Sequence, residues 1–236
     1  MTLLLAIATE ATTKKTFASA IDWPGLARSA KTEELALDAL LAALPRYARV
    51  LDRAGHALAG SSRSFRLPEI ILQVAESETG SSGTEFGVPS RITSADRRRL
   101  GAAEASRRAA IVVAAWAEFD AVVATAPAEL RKGPRGGGRD RDRIVAHVTE
   151  SDHAYAREMG IRVRAPAPDD PGAIAAMREA MLAVLRAPSD GSPLADRRWT
   201  ARYAAHRIAW HALDHAWEIE DRTEPLPGPA LARLRS

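Results

Sequence analysis

Two histidines one helical turn apart, His211 and His215, are the residues of this chain best placed to share a ligand. They lie in Thr200 to Arg222, a stretch without Gly or Pro and rich in helix formers, which predicts a single helix. At about 100° per residue the two imidazoles fall roughly 40° apart on one face. Side chains so placed can reach one cation, as in zinc sites, or can hydrogen-bond beside a core, and the short His-x-x-x-His pattern leaves both readings open. The other histidines are His56, His147, His153 and His206. His206 falls about 140° from His211 on the same wheel, too far round to join it. A second predicted helix carries His147 and His153, roughly 120° apart. His153 shares its side with Thr149, Glu150 and Arg157, a solvated pattern, whereas His147 sits among Ile144, Val148, Ser151 and Ala154, a half-buried one. His147 is therefore the better third ligand.

Two carboxylates neighbour the pair. Glu218 lies about 20° round from His211 and could accept a hydrogen bond from a ligating imidazole or act as a fourth ligand. Asp214, some 60° away, could orient an imidazole; either residue could equally be a solvated or salt-bridged surface acid. The residue after His211 is Ala212, so the general-base Glu of His-Glu-x-x-His is missing and a zincin protease is excluded. The loop from Leu130 to Arg139 is basic and glycine-rich without a nucleotide-binding Gly-x-x-x-x-Gly-Lys pattern. Arg135 or Arg139 is expected to contact an acidic substrate or thiol cofactor, the alternative being an ordinary solvated connection. No residue is singled out as catalytic beyond the metal ligands.

These side chains need helices to hold them, and the composition supplies the material. The 236 residues are 46% hydrophobic and 27% charged, enough for a core in one large domain or two small ones. The net charge of +3 is too small to argue for nucleic acid, although the pI is near 9.6. There is no cysteine, which excludes disulfides, thiolate nucleophiles and Cys-ligated metal. Any thiol chemistry would use a thiol brought from outside. The apolar run Leu3 to Ala8 is too short for a membrane span and lacks a basic flank, so cytoplasmic residence without a membrane partner is expected.

The first part of the chain, 1–78, reads as a small α+β unit. Leu3 to Thr9 and Thr13 to Asp22 are strand-like, with Glu10 to Thr12 connecting them. In Asp22-Trp23-Pro24-Gly25 the Pro-Gly pair supplies the two central residues of a type II turn. Thr32 is a natural N-cap for a helix with Leu35, Leu37, Leu40, Leu41 and Leu44 as its stripe, which Pro45 should end or kink, with Arg46 to Arg53 open to continuing it. A further strand is expected near Ile70 to Val74. The run Phe17 to Gly25, followed by Thr32-Glu33-Glu34-Leu35-Ala36, resembles the HicB-like antitoxin fold, in which a strand, an Asp-x-Pro-Gly turn and a Glu-rich helix start occur in this order. That resemblance covers roughly the first seventy residues. It implies a partner-binding role, beside the alternative of a structural or lid domain sharing the fold. Residues 79–93, rich in Gly, Ser and Thr, read as a linker.

From Ser94 to 224 the pattern is helical. Helices are expected from Ser94 to about Thr125, from Asp140 to Gly160, over the stripe Ile174, Met177, Met181 and Leu185, and from near Trp199 onward. Four amphipathic helices joined this way make a four-helix bundle, so the fold class is α+β followed by all-α. The last helix has a second apolar stripe, Tyr203, His206, Trp210, Leu213 and Trp217, and should be central, touching the N-terminal part as well as the bundle.

Ile144 to Val148 on the second of these helices, paired with His211-Ala212-Leu213-Asp214-His215 on the last, resembles the DinB-like or YfiT-like metal-binding bundles. The resemblance spans about Ser94 to Arg222 and implies that His147, His211 and His215 ligate a divalent metal, zinc foremost, with nickel, iron or manganese also suited to imidazole. It further implies transfer dependent on a low-molecular-weight thiol such as mycothiol, or hydrolysis, on a small-molecule substrate. The competing class is a non-catalytic binding or regulatory protein in which the HicB-like part engages a partner and the bundle is scaffold. Nucleic acid ranks last among partners, and a homodimer stays open.

Overall fold

The computed structural model describes residues 2–58, 69–133 and 137–223. Its first element, β1 (Thr2–Ala11), is longer than the alternation of apolar residues foretells and includes Glu10. β1 pairs antiparallel with β2 (Thr16–Ala20), which pairs antiparallel with β3 (Ala27–Ala30). The turn before β3 closes from the Leu26 N–H to the Trp23 carbonyl at 3.1 Å, with Gly25 at φ 89°. Only glycine takes that φ without strain, and a Cβ there would meet Leu213 Cδ1 at 2.9 Å and Ala209 Cβ at 3.0 Å. The turn is thus packed tightly against the last helix.

α1 (Glu33–Arg53) starts on the Thr32 cap, whose side chain accepts from the Leu35 N–H. Pro45 does not end it, and the helix continues over Arg46 to Arg53. The missing N–H and ring clash cost roughly 3 kcal/mol, and the helix carries that because Leu40, Leu44, Tyr47 and Leu51 are fully buried along its inner face. β4 (Glu69–Thr79) then pairs parallel to β1, giving the mixed sheet order β3-β2-β1-β4.

Residues 79–93, read above as a linker, hold a one-turn helix, α2 (Ser82–Phe86), closed by a capping box between Ser81 and Thr84. The buried Glu10 carboxylate fastens this stretch to β1, accepting from the Thr84 hydroxyl at 2.7 Å and from the Ser90 and Arg91 N–H groups at 3.0 and 2.8 Å.

The helical half starts later than the Ser94 cap suggests. Ala95–Arg97 is a single 3₁₀ turn, and α3 (Ala102–Thr125) begins after Gly101. α4 (Arg141–Glu158), α5 (Pro171–Leu185) and α6 (Ala201–Thr223) follow. α6 packs on α3, α4 and α5, and α5 also meets α3 and α4. The protein is therefore α+β, with a four-stranded mixed sheet followed by packed helices. One contiguous apolar cluster runs from Leu5, Ile7, Leu40 and Tyr47 through Ile111 and Trp116 to Ile208 and Leu213. α6 is buried on nearly every side: Phe17 meets Trp210 edge-on at 6.0 Å, and the Arg28 guanidinium stacks 3.9 Å from the Trp217 ring.

Candidate metal centre

α6 presents His211 and His215 one turn apart towards α4, where Ile144 and Val148 are buried and His147 between them is half-buried at the seam. Packing of the α4 apolar stripe against α6 thus aims His147 at the pair. The ring centroids of His147 lie 5.1 Å from those of His211 and 5.0 Å from those of His215, and His211 and His215 are 4.7 Å apart. His147 Nε2 stands 3.2 Å from His211 Nε2. One potential ligand atom from each of the three residues can be chosen so that all lie within 4.8 Å of one another, and this is the only such His or carboxylate group among the described residues.

That spacing suits a small cation. Bonds of about 2.0–2.1 Å in a tetrahedral arrangement put neighbouring donor nitrogens roughly 3.3 Å apart, close to the 3.2 Å seen between His147 and His211. A separation at the 4.8 Å limit would need to close by about 1.5 Å to reach that tetrahedral spacing. Burial, then the charges of His215 and of arginines, pushes His211 well below its ordinary pKa, and burial with His215 and Arg139 lowers His147. Both rings are neutral at pH 7, the form that ligates.

The Glu218 carboxylate accepts from His215 Nδ1 at 2.8 Å, which leaves Nε2 of that ring for the shared centre. Arg222 Nη1 donates to the other Glu218 oxygen at 2.7 Å. Although burial works to raise the Glu218 pKa, the His215 and Arg222 contacts outweigh it and hold the carboxyl below its usual range. His211 differs: its Nδ1 is buried without a hydrogen-bond partner. Asp214, the alternative orienting carboxylate, does not serve the imidazoles; it pairs with Arg28 of β3 at 3.3 Å.

Of the basic loop, Arg135 lies outside the described residues. Arg139 is exposed, and its charge is felt at both His147 and His211. The neighbouring backbone is tied to α6 through Arg222, whose Nε donates to the Arg131 carbonyl at 2.8 Å. His153 is turned away, with Nε2 bonded to the Val163 carbonyl at 3.0 Å.

Two neighbours went unnoticed in the sequence. The Tyr155 ring lies 5.6 Å from His211, and the Arg207 guanidinium lies over Tyr155 at 5.4 Å. Their signal is a step of four: His147, Ser151 and Tyr155 along α4 face Arg207, His211 and His215 along α6. Compared with protein-family models, curated proteins and solved structures, the chain matches none.

Proposed function

We propose that His147, His211 and His215 hold a divalent metal, zinc foremost, and that the protein is a metal-dependent enzyme of the DinB-like type acting on a small molecule by thiol-dependent transfer or hydrolysis. The observation that carries this reading is the convergence of three imidazoles from two helices, with no fourth His or carboxylate in the group among the described residues. Three neutral ligands with a position left open is the composition of catalytic rather than structural zinc sites. A cation held there would bring the proton of a bound water or external thiol within reach of neutral pH.

The chain's own residues set the rest. Burial keeps His147 and His211 unprotonated, and Glu218 holds the proton of His215 on Nδ1 and so fixes its tautomer. Arg222 braces Glu218, while Arg139 supplies positive charge on the loop side, suited to an acidic substrate or thiol.

A second reading has one observation in its favour. Leu4 and Ile71, register partners on β1 and the edge strand β4, are 56% and 48% exposed, a surface on which a HicB-like unit could engage a partner. Elemental analysis of protein purified without a His tag, beside His211→Ala, separates the two. Stoichiometric metal lost in the variant supports the enzyme, and metal-free wild type leaves the binding protein.

A further inference from the structure

An open groove of about 660 Å³ runs between the end of α4, the segment 160–163 that follows it and the 3₁₀ turn Leu194–Asp196. Its volume lies within the roughly 300–1,000 Å³ of small-molecule sites. Arg157, Arg162 and Arg197 line it, and all three are exposed. The described residues that line it include no Asp or Glu. Arg157 and Arg162 form no ion pair among the described residues, and Arg197 reaches Glu158 at 3.9 Å with both side chains open to water. Nor are the guanidinium groups needed to close the helix. The Tyr155, Ala156 and Arg157 carbonyls at the end of α4 already accept from the Met159, Gly160 and Ile161 N–H groups.

Fixed backbone carries these side chains. Gly160 takes φ 82°, and a Cβ there would meet Ala195 Cβ at 2.4 Å, so the two segments touch at this point of the groove. Ala195 and Asp196, at φ 48° and 53°, are the two non-glycine residues with left-handed backbone among the described residues. Such backbone persists only where its surroundings hold it, and here the Leu194 N–H bonds the Trp199 carbonyl at 2.7 Å. The turn gives Ala195 and Arg197 to the lining and leaves Asp196 out of it. His153 Nε2 donates to the Val163 carbonyl at 3.0 Å, which ties the segment bearing Arg162 back to α4. Guanidinium forks match phosphate oxygens in pairs, and several around one pocket suit a multiply charged anion better than a single carboxylate. We propose that this groove binds a small phosphorylated molecule, its phosphate or diphosphate accepting from Arg157, Arg162 and Arg197 and its carbon body lying against Ile161 and Val163. The groove shares no residue with the His147, His211 and His215 centre, and the proposal does not depend on a metal there.

The test titrates the full chain by calorimetry with pyrophosphate, inorganic phosphate, acetate and a short single-stranded oligonucleotide at constant ionic strength, with chloride as reference. Pyrophosphate should bind saturably, inorganic phosphate more weakly, and acetate no better than chloride. Arg157→Gln, Arg162→Gln and Arg197→Gln should each weaken pyrophosphate binding about three- to ten-fold, the loss of a charged hydrogen bond to a partly solvated anion. Arg162→Lys keeps the charge without the planar fork and should recover only part of that loss. Arg99→Gln removes the same charge from an exposed residue outside the groove and should leave the affinity unchanged. So should His211→Ala, which separates this site from the metal centre. The proposal is overturned if pyrophosphate binds no better than chloride, or if Arg99→Gln weakens it as much as the groove variants do. Binding of the oligonucleotide without pyrophosphate, or loss of pyrophosphate binding in His211→Ala, would overturn it as well.

Discussion

His147 Nε2 and His211 Nε2 meet at 3.2 Å across the α4–α6 seam although 64 positions separate them in the chain. Because the contact joins two helices, a cation shared there would brace the fold as well as serve chemistry. Stripping the protein with a chelator should lower Tm, and zinc should restore it. A ligand at a hundred times its Kd stabilises by about 2.7 kcal/mol, and each kcal/mol is worth about 2–4 °C in a chain of this size. His147→Ala should show no zinc-dependent shift in the same melting experiment; a shift as large as wild type would remove His147 from the site.

Glu218 and Asp214 are distinguished by their partners, so their amides should behave differently. Glu218→Gln keeps the shape but loses the anion that holds His215, and zinc affinity measured by competition with a chelating dye should fall about 10–100-fold. Asp214→Asn removes only the partly exposed pair with Arg28. It should leave zinc affinity unchanged and cost at most about 1 kcal/mol in urea denaturation.

Gly25 combines a left-handed backbone with contact on α6. Gly25→Ala should destabilise by about 2–4 kcal/mol, from strain at positive φ and from overpacking against Leu213 and Ala209. A urea midpoint equal to wild type would contradict the tight approach of turn and helix.

His206 gives the fold a pH dependence of its own. Burial first, then the nearby Arg108 charge, lowers its pKa from 6.5 to about 3. Below pH 6.5 the unfolded chain takes a proton that the folded chain refuses, so stability from this group is full above that pH and is lost on acidification. Between pH 7.5 and pH 5 the loss should be about 2 kcal/mol. His206→Gln should flatten that part of the stability profile; an unaltered slope would assign the acid sensitivity elsewhere.

Much of the helical content was legible because its signals are local. The His211 and His215 pair, the Thr32 cap and the Met177–Met181 stripe all follow from 3.6-residue periodicity and capping chemistry within a few positions. Where the reading missed, a local signal was overridden by packing. Ala27–Ala30 has no strand-like alternation and becomes β3 only by pairing with β2. Ser94 looks like a helix start, but its side chain makes no cap hydrogen bond and α3 begins only after Gly101.

Which residues share the site was not a local matter. Sequence periodicity offered both Glu218 and Asp214 beside the histidines; Arg28 on β3 draws one away and Arg222 braces the other. The spacing along the chain specified faces of helices, since backbone geometry repeats every turn. Which faces meet, and hence that His147 reaches His211 and His215, depends on how the buried apolar stripes of distant segments interlock, and only the folded chain expresses that.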